Sequence, residues 1–93
     1  MRKRNMIHRS DANQSAIVSA LRAVGATVEH LGGKGVPDLL VGYERKNFLL
    51  EVKTRGSKPN AGQEDWHARW GGQVDVVRTV ADAFRVIGLE VSG

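Results

Sequence analysis

The sequence predicts an α/β domain in which a mixed β-sheet is flanked by helices, in the order α-β-β-β-α-β-α. Three observations support this fold. Short apolar or β-branched runs alternate with segments of helical periodicity. Three of the strands follow one another and can pair as neighbours, whereas the fourth comes after a helix and should run parallel to a sheet neighbour. Glycine-containing turns separate the segments, and the chain has no internal repeat or low-complexity block.

The composition is that of one small folded domain whose net positive charge favours polyanions as partners. The chain has 93 residues, 41% hydrophobic and 26% charged, and a net charge of +4. Residues 1–10 form a basic arm, either a solvated tail or a phosphate-contacting segment, and residues 11–93 form the domain. The arm is not followed by the apolar core of a secretory signal, and no run approaches the roughly 20 apolar residues of a membrane span. The absence of cysteine excludes disulfides and thiolate metal sites, so we expect a cytoplasmic protein.

The first helix is predicted to run from an N-cap at Asp11 to a C-cap at Gly25. Its apolar stripe consists of Ile17, Leu21 and Val24. The β-branched segment 26–30 reads as the first strand, and the glycine-rich segment 31–35 as a flexible loop.

The next two strands are predicted around the apolar runs 39–41 and 48–50. If the turn between them is centred on Glu44 and Arg45, Asp38 lies directly opposite Glu51, with Cβ atoms roughly 5 Å apart. Glu51 and Lys53 are two residues apart on one strand, so they share a face of the sheet.

The second half of the chain predicts a helix, a strand and a helix. Asn60 should cap a helix that runs to about Trp70, and the strand follows at 74–77. Thr79 and Asp82 open the last helix, which ends at Gly88. Its inward-facing residues are Val80, Ala83, Phe84 and Ile87. Residues 89–93 form either a short edge strand or a loose tail.

Asp38, Glu51 and Lys53 are the strongest candidates for chemistry. Two carboxylates that face each other destabilise a sheet, and a divalent cation held between them removes that cost. A plainer interpretation makes Asp38 a turn residue after Pro37 and pairs Glu51 with Lys53 on a solvated face. The position of Glu51 within an apolar run favours the functional interpretation, because glutamate is seldom buried without a partner.

The motif Gly-Val-Pro-Asp-Leu-Leu-Val-Gly, a short hairpin and Leu-Leu-Glu-Val-Lys resemble the PD-(D/E)XK nuclease superfamily. With the downstream Gln63, Trp66 and Trp70, the chain is most similar to its stand-alone virus-type replication-repair nuclease (VRR-NUC) domains, relatives of Holliday junction resolvases. The resemblance extends from about Asp11 to Ile87. It implies a restriction-endonuclease-like core and a metal-dependent hydrolysis of phosphodiester bonds.

The resemblance also implies roles for individual residues. Asp38, Glu51 and the backbone carbonyl of Val52 would bind a catalytic Mg²⁺ or Mn²⁺, and Lys53 would position and help activate the attacking water. Gln63 would match a helix glutamine that approaches the metal. Since Asn60 and Gln63 also have capping-box spacing, that glutamine could instead satisfy only the helix start.

The aromatic and histidine residues of the second helix are open to two interpretations. Trp66 and Trp70 could be core anchors or base-stacking platforms, and the first is favoured because aromatic residues dominate small cores. His67 could touch phosphate or be structural.

Members of the family often carry a glutamate in the first helix that completes the acidic cluster, and the matching residue here is Gln14. Gln14 could coordinate the metal through its neutral oxygen, hold a metal-bound water as a residue behind the ligands, or form a capping box with Asp11. A neutral glutamine in place of the glutamate would compensate less of the metal's positive charge, so activity would be weaker or more dependent on Mn²⁺.

The leading hypothesis is a metal-dependent endonuclease for branched or four-way DNA junctions, active as a homodimer that supplies two cuts. Basic residues in the loops near the predicted site would track phosphates, giving strong salt dependence. These residues are Lys34, Arg45, Lys46, Arg55 and Lys58. The alternative is a DNA-binding module of the same fold that has lost catalysis, with Gln14 as the first sign. A third interpretation is that the protein is a structural partner in a larger complex.

Overall fold

The computed structural model describes residues 9–89, with side chains from residue 12 onward. Seven elements occupy this part of the chain, in the predicted order. They are α1 (Arg9–Ala23), β1 (Thr27–His30), β2 (Leu39–Tyr43), β3 (Lys46–Val52), α2 (Ala61–Arg69), β4 (Asp75–Val77) and α3 (Val80–Val86). Most of the predicted basic arm, and the segment 90–93 of the predicted tail, lie outside the described residues. None of the helices within residues 9–89 has the length and apolar character needed to cross a membrane.

The strands form one mixed sheet in the order β1-β2-β3-β4. The first three strands pair antiparallel as a meander, and β4 pairs parallel to β3 after the crossover through α2. The predicted fold class, a mixed sheet flanked by helices, is therefore confirmed.

The β2–β3 hairpin turns at Glu44 and Arg45, as the sequence predicts. Both residues have positive φ, 50° and 67°, which is the signature of a two-residue turn whose twist matches the flanking strands. The turn sets the register, in which Tyr43 pairs with Lys46 and Leu39 with Leu50. Continuing that register by one residue places Asp38 opposite Glu51.

One face of the sheet holds the core against α1 and α3. Strand alternation turns Val28, Val41, Leu50, Val52 and Val77 to this face, and all five are buried. The helices contribute Ile17, Val18, Leu21, Ala83 and Ile87. Val80 and Phe84 pack at the edge of this cluster, so all four residues predicted to face inward from the last helix do so.

The helix ends follow the sequence signals with one exception. At Gly25 the backbone reaches φ +96°, and the Ala26 N–H donates to the Leu21 carbonyl, which closes α1. Gly88 closes α3 in the same way. The expected N-cap at Asp11 is wrong, because α1 begins at Arg9 and Asp11 lies within its first turn. A capping box between Asp11 and Gln14 is therefore also excluded.

Candidate active site

The strand register brings Asp38 and Glu51 side by side on the face of the sheet opposite to the core. Asp38 directly precedes β2, and its Oδ2 accepts a hydrogen bond of 2.7 Å from the Val52 N–H. Glu51 is 1% exposed, although both of its neighbours along β3 point into the apolar core. The cross-strand pair that the sequence predicts is thus formed around a fully buried glutamate.

Three side chains surround the Glu51 carboxylate. Gln63 Nε2 donates to Oε2 over 2.9 Å, and Lys53 Nζ lies 3.9 Å from the same oxygen. His67 Nε2 lies 3.8 Å from the other oxygen, Oε1. Both Oε1 and His67 Nε2 are buried and have no hydrogen-bond partner within the described part of the chain. One carboxylate oxygen is therefore held by the protein, and the other is left with its lone pairs free.

Burial first, and then the neighbouring Asp38 carboxyl, raise the pKa of Glu51 from 4.5 to about 7, against a smaller lowering effect of Lys53. Two carboxyl groups in a buried site resist ionising together. A cation beside them would reverse this effect, because it stabilises the ionised forms of both.

Gln63 forms the predicted capping box and also contacts Glu51, while its approach to a metal stays a prediction. Its side-chain oxygen accepts the Asn60 N–H over 2.9 Å, while the Asn60 side chain accepts the Gln63 N–H, so the capping box is complete. Because the oxygen is used by the cap, the amide nitrogen is the end that faces Glu51. The helix cap therefore sets the orientation of the amide in the site.

Lys53 directly follows β3, on the same face as Glu51 and with 16% of its side chain exposed. Its backbone is fixed from two sides. The N–H donates to the Val77 carbonyl, and the carbonyl accepts from Asn13 Nδ2 over 3.0 Å. Asn13 also donates to the Arg78 carbonyl over 3.1 Å, so one side chain of α1 ties the ends of two strands together. Sequence reasoning missed Asn13; its only signal is a polar residue beside the apolar stripe of a helix.

The tryptophans are not core anchors, and that expectation is wrong. No residue of α2 is buried, and Trp70 is 45% exposed. The rings of Trp66 and Trp70 stack with centroids 4.8 Å apart, and Trp70 Nε1 donates to the Gln73 carbonyl. The core excludes them because α1 and α3 cover the apolar face of the sheet, whereas α2 lies over the face that carries the carboxylates.

Gln14 contacts His30 and not the acidic cluster that the family pattern suggests. Its Nε2 lies 3.4 Å from His30 Nδ1 at the end of β1. Among the described side chains, no hydrogen bond links Gln14 to Asp38, Glu51 or Lys53. Its role behind the metal ligands stays a prediction.

The basic residues divide into two groups by position. Lys34, Arg55 and Lys58 are exposed in the loops that precede Asp38 and follow Lys53. Arg45 and Lys46 occupy the hairpin turn and the start of β3, roughly 17 Å along the strand from Glu51. The expectation that all five lie in loops near the site is wrong for these two, because the tight turn carries them to the far end of the hairpin.

The donor set suits a hard divalent cation. Asp38 and Glu51 supply adjacent carboxylates, and Glu51 Oε1 is buried with no hydrogen-bond partner from residues 9–89. The backbone N–H and C=O of Val52 point toward β2. Extending the β2–β3 register places Pro37 opposite Val52. Because proline has no N–H, its backbone cannot donate a hydrogen bond to the Val52 carbonyl. Within residues 9–89 no group of three or more His, Asp or Glu side chains is arranged to hold a metal alone. This is compatible with Mg²⁺, which keeps several water and substrate ligands.

A comparison of the fold with solved structures decides the family. A structure described as a VRR-NUC domain matches with a TM-score of 0.70 and 30% sequence identity, over 84% of this chain and 92% of that one. The chain belongs to the VRR-NUC family. No protein-family model matches the sequence, and no curated protein is similar to it.

Membership of this family confirms the resemblance that the Pro-Asp and Glu-Val-Lys motifs indicate. The VRR-NUC domain has a nuclease-family fold, and its strand register explains the spacing of the motifs. The first motif ends at the start of β2, and the second ends β3, so a hairpin brings their acidic residues together.

Proposed function

We propose that this VRR-NUC domain is a Mg²⁺- or Mn²⁺-dependent endonuclease that hydrolyses phosphodiester bonds of DNA. The observation that carries the proposal is the cross-strand pair of Asp38 and Glu51, in which Glu51 is fully buried and its Oε1 has no hydrogen-bond partner among the described residues. Buried charges in proteins are paired or coordinate metals. The nuclease-family fold of the matched VRR-NUC domain supports the same assignment.

Asp38, Glu51 and the Val52 carbonyl would hold the cation. When bound, the ion supplies Lewis-acid stabilisation of the charge that develops on the phosphate. Gln63 orients the Glu51 carboxylate from the opposite side, through the bond to Oε2.

Lys53 is the residue that would position the attacking water. Its ammonium lies 3.9 Å from Glu51 Oε2 and remains partly exposed, so it faces both the carboxylate and the solvent. A fixed ammonium at this place also stabilises negative charge on the phosphate in the transition state.

The substrate that we propose is branched DNA, with four-way junctions first. A single domain of this size offers one catalytic centre, and a symmetric junction needs two cuts. A C2 homodimer supplies two centres at a fixed separation. Lys34, Arg55 and Lys58 would contact the phosphates around each centre.

The deciding experiment incubates linear, flapped and four-way DNA with the protein, with Mg²⁺, with Mn²⁺ or with EDTA. We expect metal-dependent cleavage, strongest on the four-way junction, and none by Asp38→Asn. Binding of DNA without cleavage under any metal condition would instead support the non-catalytic module. Cleavage of all three substrates at equal rates would retain the nuclease and remove the junction preference.

Calorimetry with the same variant tests the metal ligand directly. Asp38→Asn should abolish the heat of metal binding, because it removes one of the two adjacent carboxylates. Unchanged metal binding in this variant would exclude Asp38 as a ligand.

A further inference from the structure

Trp70 is the large apolar side chain that the described part of the chain leaves exposed, with 45% of its surface open to solvent. It follows α2, which lies over the face of the sheet that carries the carboxylates. Leu40 and Leu49 form a cross-strand pair on that face, and together with Trp70 they line an open groove of about 320 Å³. Apolar side chains grouped beside a few convergent polar groups are typical of a ligand site.

We propose that Trp70 is a stacking platform for an unpaired base of the DNA substrate, and that this contact makes the domain prefer branched DNA over continuous duplex. The inference rests on the proposed function, since it takes DNA as the ligand of this face. It deepens that function, because contacts to phosphates are common to all DNA. An unpaired base is offered only where the duplex is interrupted, at a flap or at an opened branch point.

The ring of Trp70 is held in place before any ligand binds. Trp66 stacks on it with centroids 4.8 Å apart and an interplanar angle of 20°. The Trp70 Nε1 donates to the Gln73 carbonyl over 3.2 Å. A ring that is already ordered loses little conformational entropy when a base stacks on it, so the contact adds to affinity.

The groove lies within reach of a nucleotide whose phosphate is at the acidic pair. Leu49 lines the groove with Trp70 and precedes Glu51 by two residues on the same face of β3. Two residues along a strand span roughly 7 Å, which is within the reach of one nucleotide from its phosphate to its base. A base next to the phosphate that is cut can therefore enter the groove.

The size and charge of this region favour a base over a second protein. The groove has six lining residues, whereas a stable protein interface takes roughly 20 to 30 from each partner. Lys53 and the exposed Arg55 and Lys58 lie on the other side of the acidic pair and would hold the phosphates. Basic groups for the phosphates and an aromatic face for the bases are the two components with which proteins hold single-stranded DNA.

The groove should recognise a base by its face and not by its edge. Gln73 Oε1 accepts the Leu49 N–H over 2.7 Å, and Gln73 Nε2 donates to the Leu49 carbonyl and to Asp75. Because both ends of this amide are engaged, Gln73 is not free to read the hydrogen-bonding edge of a base. We therefore expect little preference among sequences, since every base can stack on an aromatic ring.

Binding of a labelled single-stranded oligothymidylate in EDTA, followed by fluorescence anisotropy, tests the stacking without catalysis. The unmodified full chain is compared with two matched variants. Trp70→Phe keeps an aromatic face, and Trp70→Leu keeps apolar bulk without a ring. We expect the affinity to fall by about tenfold in Trp70→Leu and by about threefold or less in Trp70→Phe, with the same salt slope in all three proteins because no charge changes. If circular dichroism shows that Trp70→Leu is unfolded, Trp70→Met replaces it.

Cleavage of flapped and linear DNA by the same three proteins tests the substrate preference. We expect the ratio of the two rates, flapped over linear, to fall by about tenfold in Trp70→Leu and by about threefold or less in Trp70→Phe. Sedimentation velocity of each protein reports whether the substitution alters a dimer.

Equal affinities and equal cleavage ratios in Trp70→Leu and Trp70→Phe overturn the inference, because the aromatic ring then has no special part in binding. Conversion of a dimer to monomers by Trp70→Leu also overturns it and makes this face a subunit interface. Metal-dependent cleavage with an unchanged ratio in Trp70→Leu retains the proposed nuclease and removes the platform. Ring-dependent binding of the oligonucleotide without cleavage under any metal condition retains the platform and removes the nuclease.

Discussion

Gln63 Nε2 donates a hydrogen bond of 2.9 Å to Glu51 Oε2, and the cap of α2 determines that the nitrogen end of the amide faces the carboxylate. The amide oxygen is already used to accept the Asn60 N–H. A helix start on one face of the sheet therefore orients the carboxylate of a strand residue. The same contact leaves Glu51 Oε1 as the oxygen that is available to a ligand.

Two substitutions separate the cap from the contact with Glu51. Gln63→Glu keeps an acceptor for the Asn60 N–H but places a second carboxylate against Glu51, so it should weaken metal-dependent cleavage strongly. Asn60→Ala removes the cap at a cost of about 1 kcal/mol while keeping the donor to Glu51, and it should retain most activity. Cleavage rates and thermal melts of both variants provide the test. Equal losses of activity would mean that the cap alone matters.

Lys53→Met should reduce single-turnover cleavage by about 10² to 10³-fold with little change in folding or DNA affinity, because it removes only the ammonium beside Glu51. Arg69→Met is the matched control, since it removes an exposed charge from α2. A Lys53→Met protein that cleaves at the normal rate would remove Lys53 from the mechanism.

The raised pKa of Glu51 predicts how the stability of the metal-free domain depends on pH. The folded value is about 7, against 4.5 for an ordinary glutamate, so the folded state binds an extra proton between these values. Stability contributed by this group is present at low pH and is lost as the pH rises through the folded pKa, by up to about 3 kcal/mol.

The glutamine of Glu51→Gln has no carboxyl group to titrate. The free energy of unfolding of this variant should therefore rise relative to that of the unmodified protein between about pH 5 and pH 8. Denaturant melts at both pH values, in EDTA, measure the difference. A constant difference across this range would show that the glutamate is ionised in the metal-free fold. Added Mn²⁺ at the higher pH should stabilise the unmodified protein and not the variant.

Gly35 should be the least replaceable glycine near the site. It has φ +78°, and a Cβ there would lie 2.8 Å from the Gly62 carbonyl oxygen, so an alanine must push α2 away from the loop. Gly56 has a similar φ of +82° with open space around it. Gly56→Ala should therefore lower the free energy of unfolding by only about 1–2 kcal/mol, which is the cost of backbone strain. Gly35→Ala should lower it by more and should also impair cleavage. Similar melting curves for the two variants would exclude the proposed close approach of the loop and α2.

The two groups of basic residues should differ in their effect on DNA binding. Arg55→Ala with Lys58→Ala should weaken binding and reduce the slope of log affinity against log salt by about 2. Arg45→Ala with Lys46→Ala removes the same charge from the far end of the hairpin and should change both quantities less. Fluorescence anisotropy at several salt concentrations measures the slopes. A larger effect of the hairpin pair would place the DNA across the turn.

Local signals were enough to predict most of the elements. Asn60, Thr79, Gly25 and Gly88 act within a few residues of their own backbone, so the helix ends that they set are visible in the sequence. The Glu44-Arg45 turn is equally local, and it determines the register that brings Asp38 to Glu51. Asp11 misled the prediction because a good capping residue can also lie in the first turn of a helix.

The sequence by itself determined the strand order of the hairpin, the shared face of Glu51 and Lys53, and the family to which the motifs point. Only the tertiary structure decided which residues from other elements complete the site. Asn13, Gln63 and His67 approach β3 from two helices, and the wrong expectation for the tryptophans has the same origin. Periodicity shows that a helix has a side to bury, but the packing of distant elements determines which face of the sheet that side meets.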